Sequence, residues 1–522
     1  MLTGDMLRRS AERFPDKDAI IYRGPDRRSS QSFRALDEAA NRLANALLAL
    51  GLDKGAKVSM LSRNLPEYGC TFFGVARTGC VINNISVLYA PDELGWVLNK
   101  SDTEVLIFDA QFFDKVEAAR QACPRIRHFI VIGDAAATAA ATAWGAVRFD
   151  DVVAGGSPEA PAVVLDERDP FCMTYTGGTT GRPKGVLMHH RARDITAHTV
   201  AFEERITPDD VVAIVTPLFH VAALNIMFQP AMLVGATTVF VAPWSADAFM
   251  DAVEAEGVTA AFMVPTQANA LSTHAALESR RLGSWTKLAF AGAPMPDWVQ
   301  QELMRRLPHL QLTQIYGQSE MGVIAALPPS FLPAKLGSVG RQPYNVDVAV
   351  LLPDGRRAAV GEMGEVASRG DNLMIGYCNE PEQTAAFFKM GKGWGLTGDI
   401  GVMDADGFIT LIDRAKDMLI SGGENVYPKE IEQVLYQLPQ VAECAVFGIP
   451  DDKWGEVPAA YIQLKAGCSL DEATVVAQCE ASLARLKRPR LVKFVDSFPK
   501  TPIGKIQKNL LKEPYWEGRK KI

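Results

Sequence analysis

The sequence predicts a multidomain α/β protein: a large N-terminal α/β domain of mixed sheets layered with helices, residues 1–415, and a small C-terminal α+β domain, residues 416–522. Three observations predict it. At 522 residues the chain is too long for one hydrophobic core. Helical patterns alternate with short apolar runs from Met1 to about Asp169 and continue beyond, as expected of helices packed on sheets. From about Asp417 the pattern resets, and the remaining stretch of roughly 105 residues has the size of an independent domain.

Taken in order, Phe33 to Leu50 places apolar side chains at helical spacing, with Gly51 as a C-cap. Lys57 to Leu61 and Val105 to Phe108 read as core strands. Ala135 to Ala143 is almost wholly Ala and Thr and reads as a surface connection or helix end. Phe171-Cys172-Met173 and Val186-Leu187-Met188 are short buried strands on either side of a loop, which would hold that loop at a rigid sheet edge. The strand VVAIVTP ends at Pro217 and leads to His220. Leu288-Ala289-Phe290 runs into a turn of small residues, Ala291 to Pro294. The final region carries Gly422-Gly423, a helix from Pro428 to Leu438, strands at Ala442 to Phe447 and Ala459 to Leu464, a further helix, and a strand from Leu491 to Val495. No repeat of the solenoid kind is present.

Composition narrows the class of function. With 48% hydrophobic and 22% charged residues, the chain has the make-up of an ordinary globular protein. A formal net charge of −7 argues against a nucleic-acid partner bound by neutralising phosphates. The eight cysteines (Cys70, Cys80, Cys123, Cys172, Cys378, Cys444, Cys468, Cys479) form no CxxC pair, which fits reduced thiols and argues against zinc. The N-terminal stretch has no apolar secretory core, and no run of about 18 apolar residues occurs. The expectation is a cytoplasmic protein, at most peripheral to a membrane, with self-association into a homodimer left open.

Chemistry concentrates in Thr174 to Gly185, TYTGGTTGRPKG. Gly177, Gly178, Gly181 and Gly185 let backbone N–H groups approach an anion; Thr176, Thr179 and Thr180 add hydroxyls and Lys184 a positive charge. These are the parts of a phosphate cradle. It is no Walker loop, because Lys184 follows Pro183 and precedes Gly185, and the loop has no GxGxxG pattern. A solvated Gly/Thr turn accounts for five or six such residues. Twelve in this order closely resemble the phosphate-binding signature of the adenylate-forming superfamily, which includes acyl-CoA synthetases, the adenylation domains of peptide synthetases and firefly-type luciferases. Gly177 departs from the pattern, standing where the family usually has serine.

Later stretches extend the resemblance in family order. Gln314 to Glu320, QIYGQSE, is similar to the family's YGxTE element with serine for threonine. By that resemblance Tyr316 stacks on adenine, Ser319 contacts the α-phosphate and Glu320 binds magnesium. One carboxylate suffices for an ion that bridges phosphates. The small residues Gly292, Ala293 and Pro294, with Gly317, would let a flat ring lie against the backbone. TGD at Thr397-Gly398-Asp399 is weak alone, and in this order it matches the family's ribose-binding aspartate, Asp399. Arg414 matches the arginine that reaches ribose or phosphate, and Lys416 the hinge. In Pro499 to Ile506, PKTPIGKI, Lys505 matches the catalytic lysine, although on its residues alone it is a solvated charge.

His220 by its surroundings reads as a satisfied core histidine; the resemblance makes it a gate between the acyl pocket and the thiol tunnel. Catalysis is thereby assigned to Lys505, Glu320, His220 and Thr179. The resemblance implies an adenylate-forming fold with a mobile C-terminal domain and an AMP-forming acid:CoA ligase using ATP, Mg2+ and coenzyme A. A carboxylate attacks the α-phosphorus of ATP, pyrophosphate leaves, the C-terminal domain rotates about Lys416, and coenzyme A takes the acyl group. Gly422, Gly423, Trp454, Arg488 and Arg490 resemble coenzyme A contacts of the aryl-CoA ligase branch. The implied acyl pocket is His220, Val221, Ala222, Ala291, Ile315, Gly317, Met321, Gly322 and Val323, apolar or small, with Gly317 and Gly322 leaving space for a long chain or ring. A hydrophobic monocarboxylate, fatty or aromatic, is the expected acid. Two readings stay open beside it: an adenylating enzyme whose acceptor is a carrier protein or oxygen, and an adenylate-binding homologue without turnover. The absence of a carrier-domain pattern after the last motif disfavours an assembly-line carrier acceptor.

Overall fold

The computed structural model describes every residue except 26, 177–182, 294, 416, 423, 501–505 and 518–522. The described chain divides into two compact units, one of Met1–Thr176, Pro183–Val348 and Ser368–Gly395, the other of Ala349–Ala367 and the residues from Leu396 onward.

The first unit is built on two eight-stranded sheets. One runs Gly322–Leu327, Gln311–Gln318, Lys287–Phe290, Ala260–Met263, Val211–Ile214, Thr237–Val241, Asp18–Arg23, Arg28–Ser32. The other runs Gly376–Tyr377, Lys184–His189, Pro170–Thr176, Val81–Asn84, Lys57–Leu61, Thr103–Asp109, His128–Ile132, Val147–Arg148. Inner neighbours pair parallel, and their apolar composition follows from burial on both faces. Each sheet has an antiparallel hairpin at or next to one edge, and each of these hairpins carries one of the two strongest motifs. Between the sheets, Phe72 on helix Pro66–Val75 meets Phe171 edge-on at 5.1 Å and Phe228 at 6.5 Å, and Phe228 in turn meets Phe240 at 5.7 Å. These rings join strands of both sheets into one core.

Local sequence explains most elements. Helix Phe33–Ala49 starts where the Ser32 hydroxyl accepts from Ala35 N–H at 3.3 Å and stops just before Gly51, which takes φ +69°. Ala135–Ala143, expected as a surface connection or helix end, is a full helix. The correction has a plain cause: alanine has the highest helix propensity, and the Asp134 carboxylate caps the start through Ala137 N–H at 2.8 Å, so no amphipathic stripe is required.

The second unit carries a four-stranded sheet, Asp347–Leu351, Gly364–Arg369, Trp394–Met403, Ile409–Arg414, and a five-stranded one in which Glu424–Val426, Leu419–Ser421, Gly455–Leu464 and Val441–Asp451 are joined by Leu491–Phe494. Ile409–Arg414, which precedes the expected domain start at 416, pairs antiparallel with Trp394–Met403 within this unit. A closing helix, Lys508–Trp516, is held by Lys508 Nζ on Glu432 Oε1 at 2.7 Å. No helix among the described residues is long and apolar enough to cross a membrane.

Glu204, at the end of helix His190–Glu203, is buried with Oε1 lacking a hydrogen-bond partner. Burial, reinforced by neighbouring Glu203, pushes its carboxyl from an ordinary 4.5 to about 8. The folded chain therefore keeps a proton that the unfolded chain releases, and this contribution to stability is full below 4.5 and lost as pH rises toward 8. Glu204→Gln is expected to melt higher than wild type at pH 8.5, with the gap narrowing by pH 5.5, in thermal unfolding at the two pH values.

Candidate active site

Of the predicted site residues, Gly177, Gly178, Thr179, Thr180, Gly181, Pro294, Lys416, Gly423 and Lys505 lie outside the described residues. The stems of the phosphate loop are described. Thr174, Tyr175 and Thr176 face Val186, Gly185 and Lys184 across the hairpin, so the two ends of the loop are partners in one ladder. The outer strand is itself covered by Gly376–Tyr377, which pairs with Leu187 and Val186. That pairing brings in a residue the sequence reasoning missed. Tyr377 lies with its ring 5.2 Å from Lys184 Nζ and donates its hydroxyl to Glu320 Oε1 at 2.8 Å.

Glu320 is well fixed. It sits in the turn joining Gln311–Gln318 to Gly322–Leu327, where Gln318 pairs with Gly322. Its carbonyl accepts from Met374 N–H at 2.7 Å, and the next carbonyl, of Met321, accepts from Asn372 Nδ2 at 2.9 Å. Burial, then the Glu320 carboxylate beside it, push the Tyr377 hydroxyl far above its ordinary range. It is thus a permanent donor that orients the carboxylate. Lys184 and Glu320 are thus both held at one tyrosine, the cation near its ring and the acid at its hydroxyl. The only sequence signal for Tyr377 was a Gly-Tyr pair inside an irregular glycine-containing stretch.

The adenine candidates also come together. Lys287–Phe290 runs parallel to Gln311–Gln318, with Phe290 opposite Gln314, so the turn at Ala291, Gly292 and Ala293 leaves the sheet beside Ile315, Tyr316 and Gly317. This is the carboxyl edge of parallel strands, where α/β sheets bind ligands. Gly292 has φ +90° and is exposed with Ala293, while Tyr316 and Ser319 are buried. Ala222, Ile315 and Val323 belong to one apolar cluster, with Ala291 packed against it; Met321 is also buried. His220 and Val221 lead into a π-helical segment, Ala222–Phe228, a form concentrated at functional sites. His220 Nδ1 accepts from Ala222 N–H at 3.2 Å, which leaves the ring proton on Nε2.

The two glycines expected to make room for the acid have another reason to be glycine. A Cβ on Gly317 would collide with the carbonyl of Gly322 and lie 3.0 Å from Val323 Cα. Gly322 takes φ +64°, and a Cβ there would collide with Thr196 Oγ1. Both absences of a side chain let the hairpin close and seat it on helix His190–Glu203.

In the second unit, Asp399 and Arg414 are directly opposite across a hairpin and form an ion pair, Nε to Oδ1 2.6 Å. Asp399 N–H donates to the Thr397 hydroxyl, itself tied to the Val366 carbonyl at 2.7 Å, so the acid is positioned from below. Gly422, at φ +60°, donates its N–H to the Trp454 carbonyl at 2.8 Å, and a Cβ there would stand 2.6 Å from the indole. Trp454 is 40% exposed over that glycine. Arg488 is engaged locally, on Glu480 Oε1 at 3.1 Å and the Leu483 carbonyl at 3.1 Å, where it caps helix Glu472–Ser482. Arg490 is exposed.

Residues 7–378 match the AMP-binding enzyme family, and residues 430–505 match the AMP-binding enzyme C-terminal domain. The chain belongs to the AMP-binding enzyme family. A feruloyl-CoA synthase from an Amycolatopsis species is 34% identical over 96% of each chain. A long-chain-fatty-acid–CoA ligase of Mycobacterium tuberculosis is also 34% identical, over 98% of each. Among solved structures, an anthranilate CoA ligase in complex with anthranoyl-AMP superposes with a TM-score of 0.88 at 26% identity, covering 99% of this chain and 97% of that one. This AMP-binding enzyme therefore stands in the acid:CoA ligase branch, with the adenylate-forming fold, ATP and coenzyme A as its substrates, and a smaller C-terminal domain.

Proposed function

We propose that the protein activates a hydrophobic carboxylic acid, fatty or aromatic, as its adenylate and passes the acyl group to coenzyme A. The observation that carries the reading is the Lys184–Tyr377–Glu320 arrangement beside the Tyr316 strand. It supplies a cation and an oriented carboxylate at the ends of two motif hairpins, as a polyphosphate requires. Ferulate and long-chain fatty acids, named for the two relatives, bracket the expected range of acids.

Each residue has its share of the work. Thr176, Thr179, Thr180 and Lys184 hold the β- and γ-phosphates, Tyr316 and the Gly292–Ala293 turn hold adenine, and Asp399 with Arg414 holds the ribose hydroxyls. Ser319 and Lys505 meet the α-phosphate, and Lys505 also meets the acid. A carboxylate oxygen bonds to the α-phosphorus as the bond to pyrophosphate breaks. The chain contributes position and charge and forms no covalent bond. Among the described residues no group of three or more His, Cys, Asp or Glu could hold a metal, so a caged structural ion does not fit. One carboxylate, Glu320, fits Mg2+ that arrives on the phosphates. When bound there, the ion would supply positive charge to offset that of the phosphates. The segment after Lys416 then turns about it, withdrawing Lys505, while Gly422 and Trp454 receive coenzyme A and His220 borders its thiol. Eight unpaired cysteines support a reducing, cytoplasmic setting.

Glu320→Gln is expected to lower acid-dependent pyrophosphate exchange by about 100-fold and to raise the Mg2+ concentration needed for half-maximal rate. Exchange at wild-type rate and unchanged Mg2+ dependence would remove Glu320 from the site. Thioester formation with free coenzyme A separates the ligase from an enzyme with a carrier or oxygen acceptor.

A further inference from the structure

The core around helix His190–Glu203 holds a set of buried polar groups that the reaction as described does not use. Arg193, on helix His190–Glu203, is 1% exposed, and its Nε and Nη2 have no hydrogen-bond partner among the described residues. No carboxylate pairs with it there. Its neighbour is the Cys172 thiol, which shares hydrogen bonds with the guanidinium and with Thr174; burial raises the thiol's pKa, so it stays neutral and supplies no counter-charge. Arginine stays protonated in proteins, so a whole charge remains without an anion. Asn225, in the π-helical segment, is 2% exposed with both Oδ1 and Nδ2 unpartnered. Thr174, which shares the Cys172 face of its strand, has a buried Oγ1 with no partner besides that thiol among the described residues.

Helix His190–Glu203, which carries Arg193, packs against both the π-helical segment of Asn225 and the strand of Thr174. Gln229 Nε2 donates to the Arg193 carbonyl at 3.3 Å, which ties the end of the π-helical segment to the helix at Arg193. One turn beyond Arg193, on the same helix face, Thr196 abuts Gly322. Asn225 follows His220 and Val221 by about one π-turn and shares their face. Around them the cluster is apolar: Cys172, Ala197, Leu224, Met227, Phe228, Ile315 and Val323 all belong to it. Native chains rarely leave a cation and an amide unmet in such surroundings.

We propose that Arg193, with Asn225 and Thr174, reads an acceptor oxygen at the far end of the acid, so that the substrate class is an acid carrying a distal ketone or second carboxylate on an otherwise apolar body. The inference rests on the ligase reading and sharpens its substrate. It is a specificity role, since Arg193 touches the tail of the acid and not the reacting carboxylate.

The test is kcat/KM for three acids of matched length, one a plain hydrocarbon acid, one with a terminal-region ketone and one a dicarboxylic acid, followed as AMP and as acyl-CoA. Wild type is expected to favour an oxygen-bearing acid over the plain one on the order of 100-fold, because a site built to donate hydrogen bonds rejects a ligand that leaves its donors unmet. Arg193→Leu is expected to reduce that ratio by a similar factor and to raise the melting temperature, as removal of an unpaired buried charge does. Asn225→Leu is expected to reduce the ratio less, and provides the comparison if Arg193→Leu does not fold. A preference for the dicarboxylic acid identifies an ionic partner, and a preference for the ketone a neutral one. A wild type that uses the plain acid as well as the others, with variants that leave the ratio unchanged, overturns the proposal while the ligase reading stands. Failure to adenylate any acid overturns the ligase reading and this inference with it.

Discussion

Lys505→Ala is expected to slow formation of the acyl adenylate by about 100- to 1,000-fold while leaving thioester formation from supplied acyl-AMP within about threefold of wild type. The cause is electrostatic. In adenylation, negative charge grows on the α-phosphate while a carboxylate, itself negative, approaches it. In the proposed role, the Lys505 ammonium would meet both in the first half-reaction; in the second, a neutral anhydride carbonyl is attacked and AMP leaves. The flanks of the lysine loop are firmly tied: Lys500 bridges to Ile506, Gln507 N–H donates to the Pro499 carbonyl at 2.8 Å, and Lys508 holds Glu432. The alanine substitution therefore removes a charge without unfastening the loop ends. Acid-dependent pyrophosphate exchange reads the first half-reaction and single-turnover transfer from synthetic acyl-AMP the second. Equal losses in both would sink the idea of two working conformations about Lys416.

Gly317→Ala is expected to destabilise the protein by about 3 kcal/mol and to abolish measurable adenylation with every acid. A methyl group there meets backbone, the Gly322 carbonyl and Val323 Cα, and backbone in a ladder cannot rotate out of the way as a side chain would. To admit it, the hairpin must open at the turn that holds Ser319 and Glu320, so stability and catalysis are lost together. Denaturant unfolding and pyrophosphate exchange on the same preparation decide the matter. A variant that unfolds at the wild-type midpoint and merely prefers shorter acids would restore the reading of Gly317 as pocket space.

Much of the site was legible because its chemistry is written in short contiguous strings. A phosphate cradle needs small residues and hydroxyls next to one another in the chain, and TYTGGTTGRPKG and YGQSE carry that requirement locally. The core strands at Lys57–Leu61 and Thr103–Asp109 were legible for a similar reason, since burial on both faces demands an unbroken apolar run. The Ala135–Ala143 helix was missed because alanine propensity leaves no periodic mark. Tyr377 was missed because it reaches Glu320 only through the pairing of Gly376–Tyr377 with the phosphate-loop hairpin, across nearly 60 residues of sequence.

By itself, then, the sequence determined the family and the acid:CoA ligase class, both carried by runs of neighbouring residues. Tertiary structure alone decided that Asp399 faces Arg414, that a side chain on Gly317 or Gly322 would strike a neighbour, and that Arg193 is buried with no carboxylate beside it among the described residues. The reason is physical: whether a side chain is paired, crowded or stranded depends on which distant elements the sheets bring beside it, and a linear pattern records only what each residue is.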